Sequence, residues 1–319
     1  MSLPASVVVR EVGAREGMQF EKGPIPTAAK IRLVDLLSEC NFPEIEVTSF
    51  VSPKWVPQMA DAEQVATGFT RRPGTDYTCV YLNQRGLERA LAVGTLDVRA
   101  AVIVSASEVF SHKNMGRSTE QVLADIPGSL GVARDANVPV AYLSVAAAFG
   151  CNYGGDVDLD TVIDRFSRAL SVAADSGVSI PTLLLADTMG WANPEQIRRT
   201  VGEVRERWPE HDIRMHLHDT RGMGIANAYA AMQLGAREFD ASVAGLGGCP
   251  FGGYHGAAGN IATEEFVHMC HEMGVDTGVD LDRLNNVALE AESIVGHPLP
   301  GKVMRGRALH TYRRTSPTL

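Results

Sequence analysis

The chain has 319 residues, 45% of them hydrophobic and 21% charged, and its 38 acidic against 29 basic residues give a net charge of −9. That apolar fraction builds a sizeable core and excludes wholesale disorder, while no run of Lys/Arg longer than two excludes a surface that tracks nucleic-acid phosphates. No apolar run approaches the ~20 residues of a membrane helix, and the length allows one large α/β domain or two average ones.

The start, Met1 to Glu11, has neither a basic n-region nor transit-peptide character and runs into a strand, so a soluble, cytoplasmic protein is expected. Five cysteines at positions 40, 79, 151, 249 and 270 are an odd, widely spaced set without a CxxC. They read as reduced thiols. Strands are expected at Val7–Glu11, Glu44–Ser49, Tyr77–Leu82, Val98–Val104, Pro139–Val145, Thr182–Ala186, Ile213–His216 and Phe239–Val243. Amphipathic helices lie between them at Thr27–Glu39, Ser118–Ala136, Leu159–Asp175, Pro194–Arg207 and Gly222–Leu234, followed by Ala262–Glu272 and Leu281–Ser293. Thr27 is expected to cap the first helix. Ser118 with Gln121 has the spacing of a capping box, and Asn193 followed by Pro194 is an N-cap with proline at the first helical position. Eight β-α units without a Gly-rich turn after the first strand fit a closed (β/α)8 TIM barrel better than an open sheet. The expected division is a barrel over residues 1–260 and a C-terminal helical extension over 261–319.

Chemistry in such a barrel gathers at the C-terminal ends of the strands. Polar residues stand there strand after strand: Arg15, Glu16 and Gln19 after the first, Glu46 and Ser49 on the second, Ser144 on the fifth, Asp187 and Thr188 on the sixth, His216 and His218 on the seventh. Residues at i and i+2 of a strand share a face, so both imidazoles can meet one ion. A hydrogen-bonded pair of strand-end histidines is the plain alternative. Glu16 can offset an ion's charge and Arg15 can hold a developing oxyanion, or the two form a simple loop ion pair. Gly245, Gly247, Gly248, Gly252 and Gly253 surround Cys249, a thiol placed to act as acid, base or nucleophile or to be incidental. Cys40, Cys79 and Cys270 read as core fillers, and Cys151 is open between the two roles. Asn260 and Glu264 are spaced to share a helix face, where Asn260 can offer an oxygen to an ion or simply cap the helix.

Three stretches are specific: Glu44–Met59 (EIEVTSFVSPKWVPQM), Ser242–Pro250 (SVAGLGGCP) and Gly259–Glu264 (GNIATE). With Ser105–Phe110, Lys113–Asn114 and Asp187–Gly190 they resemble the 3-hydroxy-3-methylglutaryl-CoA lyase family of metal-dependent TIM-barrel lyases, over roughly Val8 to Val267. The resemblance implies an acyl-CoA substrate cleaved by retro-Claisen chemistry, as in leucine degradation, and a divalent cation, Mg or Mn, held by Glu16, His216, His218 and Asn260. It implies catalytic roles for Arg15, Cys249, Glu264 and Glu46, with His216 serving catalysis as well. Gln19, Ser49, Ser144 and Thr188 match positions lining the substrate. No nucleic-acid or membrane partner is expected, and the family suggests a homo-oligomer. The family usually carries Asp where Glu16 stands, and the Cys249–Asn260 segment is about two residues longer, adding Tyr254 and His255. Gly296–Lys302 (GHPLPGK) has no match to the Asn/Lys pair associated with CoA. A lyase for citramalyl-CoA, 3-methylmalyl-CoA or a longer 3-alkyl analogue, a condensing synthase, and a non-catalytic acyl-CoA or metal-binding barrel are the alternatives.

Overall fold

The computed structural model describes residues 3–247 and 258–313. Eight strands run through them: β1 (Val8–Glu11), β2 (Glu44–Ser49), β3 (Asp76–Val80), β4 (Ala100–Ser105), β5 (Val140–Ala146), β6 (Thr182–Asp187), β7 (Asp212–Leu217) and β8 (Glu238–Ala241). The helices are α1 (Thr27–Ser38), α2 (Ala62–Gly68), α3 (Gln84–Val93), α4 (Glu108–Met115), α5 (Thr119–Asp135), α6 (Leu159–Asp175), α7 (Pro194–Arg207), α8 (Gly224–Gln233), α9 (Thr263–Glu272), α10 (Leu281–Val295), α11 (Val303–Gly306) and α12 (Leu309–Arg313).

The chain folds into two compact units. The mid-chain unit is built mainly from Asp97–Asp240, with residues 258–260. Its strands pair in parallel, β4 with β5, β5 with β6, β6 with β7 and β7 with β8. All six residues of β6, Thr-Leu-Leu-Leu-Ala-Asp, are buried, the pattern of a parallel strand covered on both faces. Its helices close over them with apolar residues at helical spacing, as in α6, where Val162, Ile163, Phe166, Ala169 and Ala173 face inward.

The terminal unit takes Ala5–Leu96, Ala241–Gly247 and residues 261–313. Here β2 pairs in parallel with β1 on one side and β3 on the other, with Arg10 opposite Glu44 and Glu46 opposite Thr78. Inside the sheet, Arg10 is ion-paired to Glu44, whose Oε1 also accepts the Thr78 hydroxyl at 2.8 Å. Residues 261–313 therefore share a unit with the first third of the chain, with α10 packed on α1 and α9.

Local chemistry explains where the elements begin. Ser118 and Gln121 exchange hydrogen bonds at the head of α5, and Asn193 does the same with Gln196 at the head of α7, where Pro194 is the first helical residue. Thr27 does not cap α1: it is that helix's first residue, preceded by Pro26, and its hydroxyl donates to Asp61 Oδ2 at 2.7 Å. Two strands end earlier than expected. β3 stops at Val80, leaving Leu82 70% exposed, and β8 gives way at Ala241 to a tight turn over Val243–Gly245. No described helix is long and apolar enough to cross a membrane.

Candidate active site

In the terminal unit, β1 leads into a π-helical turn, Gly13–Gly17, that carries Arg15 and Glu16. Arg15 donates to Glu46 of β2 through Nε, and to Glu16 Oε2 through Nη2 at 3.0 Å. The three side chains are largely buried, so this is a desolvated cation between two carboxylates, unlike a loop ion pair in water. Burial pushes Glu46 above the ordinary carboxylate range, with Arg15 pulling the other way. Gln19 follows one turn on and is half-buried. Ser49, the last residue of β2, is fully buried, and its hydroxyl has no hydrogen-bond partner among the described residues.

In the mid-chain unit, His216 and His218 point the same way from the end of β7, as their spacing requires. Their Nε2 atoms are 3.3 Å apart. His216 Nδ1 lies 3.1 Å from Asp240 Oδ2 on β8. That carboxylate fixes the tautomer with the proton on Nδ1 and leaves the Nε2 lone pair directed at His218. Two nitrogen lone pairs so close repel unless a cation or proton stands between them. Asp240 was not among the expected site residues, because only the β7–β8 register, with His216 opposite Asp240, brings it there. Its one sequence signal is a carboxylate inside an apolar strand.

Asn260 is not on a helix with Glu264. Residues 258–260 instead run antiparallel along the strand end, with Asn260 bridged to His218, Asp219 N–H donating to the Gly259 carbonyl at 2.7 Å and the Thr220 hydroxyl to the Ala258 carbonyl at 2.8 Å. α9 begins three residues later, after an extended Ala262 that provides no side-chain cap. Asn260 is 3% exposed, and its Oδ1 receives no hydrogen bond among the described residues. A buried amide oxygen without a donor, on a residue bridged through its backbone to His218, has the chemistry of an oxygen ligand to a divalent metal ion.

At the end of β6, Asp187 accepts the N–H groups of Trp191 at 2.7 Å and Ala192 at 3.1 Å, and burial raises it to about 6. The neighbouring Thr188 hydroxyl accepts Ala147 N–H at 2.9 Å, tying the ends of β5 and β6 together. Ser144 is buried on β5. Glu264, in the terminal unit, has no exposed surface; its Oε2 accepts Ala244 N–H at 2.9 Å and burial raises it to about 8. Cys249, Tyr254 and His255 lie outside the described residues. Of the other thiols, Cys40, Cys79 and Cys270 are buried and pushed up to about 12, as inert core groups should be. Cys151 is buried with Phe110, Ala147 and Met189 and belongs to the core as well.

The family model HMGL-like matches residues 6–289. Hydroxymethylglutaryl-CoA lyase YngG of Bacillus subtilis is 42% identical over 303 residues, covering 95% of this chain and 97% of that protein. A crystal structure of the B. subtilis HMG-CoA lyase superposes with a TM-score of 0.87 at 39% identity, over 96% of this chain and 99% of that one. An Acinetobacter baumannii HMG-CoA lyase, solved with coenzyme A and 3-methylmalate, gives 0.85 at 34% identity over the whole of both chains. Eight parallel strands alternating with helices, polar groups at their C-terminal ends and this likeness over nearly the full length lead to one conclusion: the chain belongs to the HMGL-like family and is a carbon–carbon lyase of the (β/α)8-barrel fold.

Proposed function

We propose that this protein cleaves 3-hydroxy-3-methylglutaryl-CoA to acetyl-CoA and acetoacetate in the cytoplasm, as a homo-oligomer using a divalent cation, Mg or Mn. The observation that carries the reading is the His216–His218–Asn260 cluster with Asp240 behind it, in a chain of this family. His216, His218 and Asn260 would hold the ion, with Glu16 supplying a carboxylate. When bound, such an ion lowers the pKa of the substrate's tertiary hydroxyl and fixes its orientation.

The reaction removes the proton of the C3 hydroxyl; its electrons form the ketone, the C2–C3 bond breaks, and the thioester fragment leaves as an enolate. Arg15, hydrogen-bonded to Glu46 and Glu16, is assigned to stabilise the enolate oxygen, and Glu46 to fix that guanidinium. Cys249 is assigned the delivery of a proton to C2, which completes acetyl-CoA. His216 is assigned its catalytic role through the ion its Nε2 would hold, with Asp240 fixing the ring at Nδ1, and the hydroxyl proton leaves to solvent. Gln19, Ser49, Ser144 and Thr188 are assigned to substrate positioning. Glu264 is assigned a catalytic role exercised through the turn it binds, where its Oε2 accepts Ala244 N–H.

Glu16 favours one second reading. Its chain is a methylene longer than aspartate's, which shifts carboxylate or ion by roughly a C–C bond length and suits a related 3-hydroxyacyl-CoA such as citramalyl-CoA or 3-methylmalyl-CoA. A substrate panel tests both. Protein with Mg or Mn is offered each thioester and acetyl-CoA release is followed. Turnover greatest on hydroxymethylglutaryl-CoA supports the first reading, and greatest on another supports the second. Condensation from acetyl-CoA and a 2-oxo acid, with no cleavage of any thioester, overturns both in favour of a synthase. CoA binding without any reaction would mark a non-catalytic barrel.

A further inference from the structure

The residue that ties together the Arg15–Glu16 turn is one the reaction does not use. Glu11 ends β1 with no exposed surface. No cation is hydrogen-bonded to it among the described residues; three donors converge on it instead. Its Oε1 accepts Gly13 N–H at 2.8 Å and Val243 N–H at 2.9 Å, and its Oε2 accepts the Thr263 hydroxyl at 2.6 Å. The next residue of the same turn, Ala244, donates its N–H to Glu264 Oε2 at 2.9 Å and accepts Gly301 N–H at 3.0 Å. Two buried carboxylates thus take consecutive backbone N–H groups of one turn.

That turn is strained and tightly packed. Ala244 has φ 58, a left-handed conformation that a residue with a Cβ rarely adopts and that persists only where its surroundings over-determine it. The Ser242 hydroxyl closes the turn on the Leu246 carbonyl at 2.6 Å. On one side Gly301 leaves no room for a side chain, since a Cβ there would lie 2.2 Å from Glu264 Oε1 and 3.1 Å from Ala244 Cα. On the other, a Cβ on Gly247 would stand 2.8 Å from Gly17 Cα, and one on Gly17 would stand 2.6 Å from Leu246 Cγ. Gly17 closes the turn that presents Arg15 and Glu16.

Resting on the lyase reading above, we propose that Glu11 is a positioning residue: with Glu264 it clamps the Ser242–Gly247 turn against the Gly13–Gly17 turn and so sets where Arg15 and Glu16 stand. Burial raises Glu11 to about 7, so it needs no counter-ion to sit there, and a neutral carbonyl oxygen serves the same donors. The shape of the acceptor is therefore what matters, and glutamine reproduces it.

The test compares Glu11→Gln, Glu11→Ala and Glu264→Gln with wild type in two readouts. One is backbone amide exchange at Gly13, Val243 and Ala244 without substrate; the other is kcat, KM and the pH–rate profile of acyl-CoA cleavage. Both glutamine variants should exchange like wild type, and Glu11→Gln should keep kcat within about fivefold, with an unshifted profile. Glu11→Ala should exchange at least about tenfold faster at Gly13 and Val243 and lose about 10²-fold in kcat, the scale of a small misplacement of catalytic groups. Glu11→Ala within about twofold of wild type in both readouts overturns the clamp, as does Glu11→Gln losing as much as Glu11→Ala or shifting a pH limb. Should Glu11→Ala not fold, Thr263→Val removes one donor and must still quicken exchange at Val243; unchanged exchange overturns the proposal. If wild type cleaves no acyl-CoA, the lyase reading falls and exchange alone decides the clamp.

Discussion

Asp240 shows how one buried carboxylate can set the properties of a neighbour. By accepting from Nδ1 it decides which nitrogen of His216 faces His218. Asp240→Asn, whose amide can present the wrong group to Nδ1, should weaken Mn binding by about 10- to 100-fold in a metal titration, with the fold intact by circular dichroism. Wild-type affinity would remove Asp240 from the account. At the same scale, Cys249→Ser should lose most of the lyase activity while Mn still binds, because the thiol is assigned to proton delivery and not to the ion. Turnover equal to wild type would make the cysteine incidental. The closeness of His216 and His218 was legible from their i, i+2 spacing alone. Asp240 and Glu11 were not, because each works through partners on another strand or loop, Glu11 through donors 232 and 252 residues away.

Among the elements, sequence was most informative where a helix starts on its own chemistry. Ser118 with Gln121 and Asn193 with Gln196 form the boxes that their spacing suggests. Asn193→Ala leaves two N–H groups at the head of α7 without their acceptor and should destabilise the protein by about 1 kcal/mol in urea unfolding, with activity retained. No change in midpoint would show that water replaces the side chain at no cost. Local reading failed where a tertiary partner wins. Thr27 donates its hydroxyl to Asp61 instead of accepting an N–H of its own helix. Asn260 fits a helical spacing with Glu264, yet its backbone pairs with His218 before α9 can begin. The β-α alternation, by contrast, was plain along the chain, because parallel strands covered on both faces read as short apolar runs.

For the molecule as a whole, the buried carboxylates couple folding to protons. Glu11 and Glu264 rise from an ordinary 4.5 to about 7 and about 8, and Asp187 from 3.8 to about 6, all chiefly through burial. A raised carboxylate favours the folded state in its protonated form, so its contribution is complete below the unfolded pKa and is lost as pH climbs through the folded one. Between pH 5 and 8 these groups make stability fall as pH rises, and His297, raised by Glu21, acts in the same direction. His271, lowered by burial, opposes them. Unfolding free energy measured in urea across that range should therefore decline toward pH 8, with net proton uptake on folding; a steady rise would contradict the burial of these acids. The left-handed alanine at 244 has a bearing on anyone seeking a hardier protein. Glycine relaxes there freely, so Ala244→Gly should gain on the order of 1 kcal/mol and a higher melting temperature. The same relief would let the loop wander from the shape that catalysis requires, so a survivor of heating would emerge as the slower enzyme.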